Sequence, residues 1–163
     1  MEAAYIALGS NLDAPQRQLQ AAFAALAGLP GTQLVAQSSL YRSAPVGYAN
    51  QPDFVNAVAA IRTTLLPYAL LDALLAIERA HGRVRDFPNA PRTLDLDIAL
   101  YGDRIVNEPG LTVPHPRMHQ RAFVMVPLAE IAPDALVPGH GRARDLLAAV
   151  DVTSVSVLKA IPA

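Results

Sequence analysis

The 163-residue chain has no cysteine, no tryptophan and a single lysine. Without cysteine there is no disulfide framework and no thiolate metal site. Aromatic residues are sparse, at 6%. An RNA binder of α+β type needs paired aromatics within glycine-rich basic segments on its strands, and a basic surface. Neither pattern occurs, and a net charge of −1 offers no general attraction for nucleic acid. The opening Met1-Glu2-Ala3-Ala4-Tyr5-Ile6 carries no basic region followed by a long apolar one, so no signal peptide is read there. A stretch without formal charge runs from Gln18 to Tyr41. Gly28, Pro30 and Gly31 interrupt it, and glutamines and serines make it polar, which argues against a membrane span. A soluble, cytoplasmic protein is expected.

Apolar residues at 52% and charged residues at 17% describe an ordinary globular chain. Its length suits one domain with a real core. No internal repeat or linker divides it, so residues 1–163 are read as a single domain. Of the 13 basic residues 12 are arginine, and seven of those lie between Arg79 and Arg121. A guanidinium offers phosphate oxygens a planar fork that lysine lacks. Codon preference accounts for the shortage of lysine but poorly for the clustering.

Hydrophobic periodicity gives the element order. Residues 4–9 read as a buried strand ending in the turn Gly9-Ser10-Asn11. Asp13, as a capping side chain, and Pro15 mark a helix start, and Gly28 its end. Residues 33–41 read as a second strand. A third runs from Phe54 to Thr63, with Phe54, Asn56, Val58 and Ala60 on one face. Pro67 opens a second helix, closed by Gly82, whose apolar stripe comprises Leu70, Leu71, Leu74, Leu75 and Ile77. Glu78 falls on that stripe, either partnered inside or emerging into solvent near the helix end. From Leu94 to Leu100 apolar and polar residues alternate as in a half-buried strand. Short strands are expected at 105–106 and 111–113, short helices at 127–131 and 143–149, and a last strand at 155–158. Strand, helix, strand, strand, helix, strand suits an α+β ferredoxin-like sandwich, an antiparallel sheet flanked by helices.

Period two puts Asp95 and Asp97 on one face of their strand, about 6–7 Å apart at the backbone. Two adjacent carboxylates repel and are costly to bury unpaired. A divalent cation relieves both problems, and oxygen-only ligands favour magnesium. On a solvated strand face an Asp-x-Asp is unremarkable, and by itself the tripeptide is a weak signal. Arg92 before the pair, Arg83 and Arg85 across the preceding loop, and Arg121 beyond the turn Val113-Pro114-His115-Pro116 add phosphate-binding groups. Carboxylates for metal and arginines for phosphate are the parts that phosphoryl-type transfer requires. His115 is a candidate donor to a phosphate oxygen. The loop Ser43-Ala44-Pro45-Val46-Gly47 and the pair Phe54 and Asn56 suggest a second half-site, a ring for stacking and an amide for reading a heterocycle edge.

The segment Pro91-Arg92-Thr93-Leu94-Asp95-Leu96-Asp97-Ile98 resembles the signature of the 6-hydroxymethyl-7,8-dihydropterin pyrophosphokinase family of folate biosynthesis. The resemblance extends from Tyr5 to about Pro133. It includes the block from Tyr5 to Leu12, Ser39-Leu40-Tyr41-Arg42, the block from Gln51 to Ala57, and the block from Leu111 to Met118. It implies an ATP-dependent diphosphokinase that transfers pyrophosphate to the pterin's hydroxymethyl group and releases AMP. It implies two magnesium ions held by Asp95 and Asp97, with Arg83 and Arg92 joining them in catalysis. Phe54 would stack on the pterin, Asn56 would bond its edge, Phe123 would close the opposite face, and Ser43, Ala44 and Val46 would line the pocket. Glu78, Arg85, Arg92, Ile98, Thr112, His115 and Arg121 match positions that contact ATP or support its site. A monomer is implied, with small-molecule substrates and neither nucleic acid nor membrane as partner.

The chain departs from the family pattern before the signature. Many members carry Arg-Trp there, whereas Arg85-Asp86-Phe87-Pro88-Asn89-Ala90-Pro91 is one residue shorter and offers only Phe87 as an aromatic lid. Gly110 stands where some members have arginine, and Pro116 where some have tyrosine. Two other classes remain open from the residues alone: a non-catalytic ferredoxin-like sensor module, and a different metal-dependent nucleotidyl or phosphoryl transferase.

Overall fold

Alternation along the first strand sorts its side chains onto two faces. In β1 (Glu2–Ser10), Ala4, Ile6 and Leu8 are buried in one core, and Tyr5 and Ala7 pack against another. The computed structural model describes residues 1–44, 51–82 and 93–159. Around β1 are arranged α1 (Pro15–Ala27), β2 (Thr32–Gln37), β3 (Leu40–Ser43), β4 (Phe54–Thr63), α2 (Pro67–Ala80) and β5 (Asp95–Tyr101). A ribbon follows, β6 (Val106–Glu108) with β7 (Leu111–Val113), then a 3-10 turn (Met118–Gln120) and α3 (Ala122–Ile131). The hairpin β8 (Leu136–Val137) and β9 (Gly141–Arg142), α4 (Ala143–Ala148) and β10 (Val155–Lys159) complete the chain.

The main sheet is wholly antiparallel, in the order β10-β3-β4-β1-β5, with β2 pairing β4 beyond β3. One core lies between the sheet and α1 with α2. It contains Ile6, Leu8, Leu19, Leu26, Ile61, Leu70, Leu74 and Ile98. The other lies under α3 and contains Val58, Ala99, Met118, Val124, Met125 and Leu128. This is the expected α+β sandwich with helices on both faces.

The structure corrects three local expectations. The helix start at α1 has no side-chain cap: Ala14 is the capping residue, at φ 60, and Asp13 is also left-handed, at φ 53. Residues 33–41 are two strands. Ser38 and Ser39 interrupt them because the Ser38 hydroxyl accepts from Val58 N–H and donates to Ser39 O, replacing ladder bonds. From Gln37↔Ala59 to Tyr41↔Asn56 the edge spends one residue more than β4, as a bulge does. The helix expected at Pro127 begins at Ala122, with Pro127 inside it. An interior proline forfeits one helical hydrogen bond, and the burial of Val124, Met125 and Leu128 offsets that loss.

The chain after Pro133 supplies β10, an edge strand of the main sheet against β3. No helix among the described residues is long and apolar enough to cross a membrane.

Candidate active site

β5 presents its two carboxylates because its other face is committed to the core. Leu94, Leu96 and Ile98 are buried under α2, which leaves Asp95 and Asp97 half-buried on the opposite face. As an edge strand, β5 has outward N–H groups without a ladder partner. Glu78, only 1% exposed near the end of α2, meets this need: its Oε2 accepts from Leu96 N at 2.8 Å. The partnered reading of Glu78 therefore holds. The entry to β5 is fixed by the Ser10 hydroxyl, which donates to Thr93 O at 2.5 Å.

On β4, Phe54 and Asn56 turn to the same face and are 8% and 6% exposed. The Ser43 hydroxyl donates to Asn56 Oδ1 in a short bond. With the carbonyl end engaged, the amide NH2 is the end left to face the cleft. β1 runs between these walls, with Ala7 paired to Val58 and Asp97, and Gly9 to Asn56 and Asp95. Side chains this small leave a trough. A Cβ at Gly9 would stand 3.3 Å from Asn56 Nδ2.

The third wall comes from the chain around α3. His115 follows a cis Val113–Pro114 bond and is anchored by its backbone N–H on Ala99 O at 3.1 Å. Burial first, and then the neighbouring Arg121 charge, hold the His115 imidazole below its ordinary range, partly opposed by Asp95. Its Nδ1 is buried without a hydrogen-bond partner among the described residues. Arg121 precedes the first turn of α3, its guanidinium 5.6 Å from the Phe123 ring centroid.

These walls enclose one cleft, open to solvent at its mouth, with about 770 Å³ of space between atoms when that mouth is included. Ser43, Ala44, Phe54, Asn56, Asp95, Asp97, His115, Arg121 and Phe123 all line it. Glu78 lies behind β5, Ile98 is in the core beneath Asp97, and Thr112 is exposed on β7, so these three do not line the cleft. Val46, Arg83, Arg85, Arg92 and Phe87 lie outside the described residues. Sequence reasoning missed Ala7, Gly9, Ala99, Met118 and Val124, which also line the cleft. The small residues at period two on β1 were the available signal. Met118, fully buried in a 3-10 turn, gave none.

Among the described residues no group of three or more His, Cys, Asp or Glu is placed to hold a metal ion by itself. A cation at Asp95 and Asp97 would complete its shell with water and substrate oxygens, which is magnesium's habit. An acidic pair, an arginine and an uncharged imidazole share the cleft with two aromatic rings and an amide. Groups of these kinds are suited to transfer between a phosphorylated compound and a flat heterocycle.

Known proteins make that class specific. The family model for 7,8-dihydro-6-hydroxymethylpterin-pyrophosphokinase matches residues 5–133. A 2-amino-4-hydroxy-6-hydroxymethyldihydropteridine pyrophosphokinase of Pseudomonas aeruginosa is 56% identical over 145 residues, 89% of this chain and 90% of that one. The protein of the same name from Haemophilus influenzae is 55% identical over 138 residues, 85% and 86% of the two chains. A crystal structure of Plasmodium falciparum HPPK-DHPS superposes with a TM-score of 0.74 at 13% identity, a likeness of fold. It covers 91% of this chain and 43% of that longer one, so this chain spans less than half of it. The chain belongs to the 7,8-dihydro-6-hydroxymethylpterin-pyrophosphokinase family. Its activity is pyrophosphoryl transfer to the pterin alcohol in folate biosynthesis.

Proposed function

We propose that the donor is ATP, that AMP leaves, and that Asp95 and Asp97 hold magnesium, two ions when ATP is bound. The observation that carries this reading is the position of both carboxylates on the cleft face of β5, one strand away from Phe54 and Asn56. The pterin ring lies over Ala7 and Gly9 between Phe54 and Phe123. Asn56 offers its NH2 to an acceptor on the heterocycle edge, and Ser43, Ala44 and Val46 close the ring's rim. The hydroxymethyl oxygen then forms a bond to the β-phosphorus, the bond from that phosphorus to the α,β-bridging oxygen breaks, and the hydroxyl proton is released.

Magnesium, when bound, neutralises phosphate oxygens and lowers the charge barrier to attack. Arg121, with Arg83, Arg85 and Arg92 from the 83–92 segment, binds the phosphate chain and offsets charge gathering on the leaving group. His115, kept uncharged by burial and by Arg121, donates one N–H to a phosphate oxygen rather than adding a cation. Glu78 supports β5 from behind, Ile98 seats that strand on the core, and Thr112 on β7 contacts the nucleotide from outside the cleft. The chain acts as one cytoplasmic domain and a monomer; a solution mass near 17.3 kDa is expected.

Purified protein with ATP, magnesium and the pterin alcohol should release AMP, and omission of any one should stop it. ADP in place of AMP would favour a different phosphoryl transferase, and no nucleotide product would refute the proposal. Asp97→Ala should lower kcat by about 100-fold or more while the protein stays folded, since the metal site loses one of its two carboxylates. Turnover near normal in that variant would count against the metal assignment.

A further inference from the structure

Glu130 is the only acidic residue on α3, and it stands in the last turn. A carboxylate there opposes the helix dipole, so helix stability does not explain it. Its surroundings do. Glu130 Oε1 accepts from Ser39 N at 2.9 Å and from the Tyr41 hydroxyl at 2.7 Å, and Oε2 accepts from the Ser39 hydroxyl at 2.7 Å. All three donors come from the bulge between β2 and β3 or the start of β3. The carboxylate thus ties segments about 90 residues apart in sequence.

Both tied segments end in the cleft. Ser39, Tyr41 and Ser43 alternate onto the same side of the chain, and Ser43 lines the cleft beside Ala44. At its other end α3 brings Phe123 and Val124 into the cleft. Glu130 and Phe123 lie on one helix of about 15 Å, with Pro127 between them, so how the end of α3 is tied bears on where Phe123 sits. Burial, with the Glu130 carboxylate adding to it, raises the Tyr41 hydroxyl above its ordinary value and keeps it a donor.

We propose that Glu130 is a positioning residue for the heterocycle half of the reaction: through Ser39 and Tyr41 it sets the gap between the α3 wall, with Phe123, and the β3 wall, with Ser43. The inference rests on the pterin lying in that gap, as proposed above. Among the described residues the three bonds of Glu130 all go to Ser39 and Tyr41, and the phosphate side is reached only through Arg121 at the entry to α3. Glu130 therefore acts more strongly on the pterin side than on the ATP side.

The test is steady-state AMP release with each substrate varied, for wild type, Glu130→Ala, Glu130→Gln and Tyr41→Phe. Glu130→Ala should raise KM for the pterin alcohol about tenfold, the size of one lost charge-assisted hydrogen bond, and leave KM for ATP within about twofold. Glu130→Gln keeps one acceptor oxygen for Ser39 N–H and the Tyr41 hydroxyl, and its NH2 donates to the Ser39 hydroxyl, which turns from donor to acceptor, so it should recover most of the loss. Tyr41→Phe removes one of three bonds and should raise the pterin KM by roughly two- to threefold. Equal rises in both KM values, or no rise in a folded Glu130→Ala protein, would overturn the proposal. If Glu130→Ala fails to fold, Tyr41→Phe decides: an unchanged pterin KM refutes it. A wild-type protein that releases no AMP refutes the ATP reading instead, so the two failures are distinct.

Discussion

Gly9→Ala separates what the fold needs from what the substrate needs. Gly9 lies in a regular strand, between Asn56 on β4 and Asp95 on β5. An added Cβ would stand 3.3 Å from Asn56 Nδ2 and 3.9 Å from Phe54 Cδ1. The first contact is tight by a few tenths of an ångström and the second is ordinary. Against that strain, alanine removes conformational freedom from the unfolded chain, which stabilises by roughly 0.4–1 kcal/mol where the backbone permits it. The two effects are similar in size and opposite in sign, so Tm should move by less than about 3 °C. The cleft has no such compensation. A methyl group in the floor of a filled slot costs about 1–3 kcal/mol, or roughly 5- to 150-fold in affinity. KM for the pterin alcohol should rise by that factor, with KM for ATP little changed. Melting curves and AMP release with each substrate varied measure both sides. Normal melting with an unchanged pterin KM would mean that the ring does not lie over Gly9. A Tm loss of more than about 8 °C would mean that strain dominates and that the fold itself requires glycine.

Glu78→Ala leaves the buried N–H of Leu96 without its acceptor, which costs about 1–3 kcal/mol and should lower Tm by roughly 2–12 °C; Glu78→Gln should recover most of it. Ala14→Gly relieves a left-handed non-glycine residue at φ 60 and should stabilise by up to about 1 kcal/mol in denaturant titrations, whereas a β-branched residue there should destabilise. The His115 imidazole titrates lower in the folded protein than in the unfolded chain. The unfolded state therefore binds the proton first as pH falls below about 6.5, and stability drops from there until the folded-state value is passed. His115→Gln should flatten the fall in Tm between pH 7 and pH 5, and an unchanged slope would count against a buried neutral imidazole.

The elements legible in the sequence are those whose signal is local. β4 spans Phe54–Thr63 as its periodicity indicates, and α2 starts at Pro67 because proline at the first helical position loses no hydrogen bond. The failures share a cause: a distant partner overrides the local signal. Ser38 breaks the strand because Val58, across the sheet, supplies its N–H. Ala122 begins α3 because the second core offers burial to Val124 and Met125, although Pro127 looks locally like a helix start. Asp13 is an ordinary capping residue by type, but its left-handed backbone leaves Ala14 at the helix entry. Glu78 was undecidable for the same reason, since nothing near it in sequence reveals that β5 is an edge strand.

The site divides along the same line. Asp95 with Asp97, and Phe54 with Asn56, are two pairs legible from period two alone. That they face one cleft depends on the strand order β4-β1-β5, which no local pattern encodes. Ala7 and Gly9 read as unremarkable strand residues until register pairs Gly9 with both Asn56 and Asp95. Two strand spacings then separate the pairs by about 10 Å. On the placement proposed above, a bicyclic ring held at β4 would cover most of that distance, and a short hydroxymethyl arm would suffice to bring its oxygen to a phosphate bound at β5. A longer side chain on β1 would fill the trough, and a second intervening strand would put the reacting atoms out of reach. On that placement, specificity for a ring with a one-carbon arm would follow from a single strand of small residues between an aromatic wall and an acidic one.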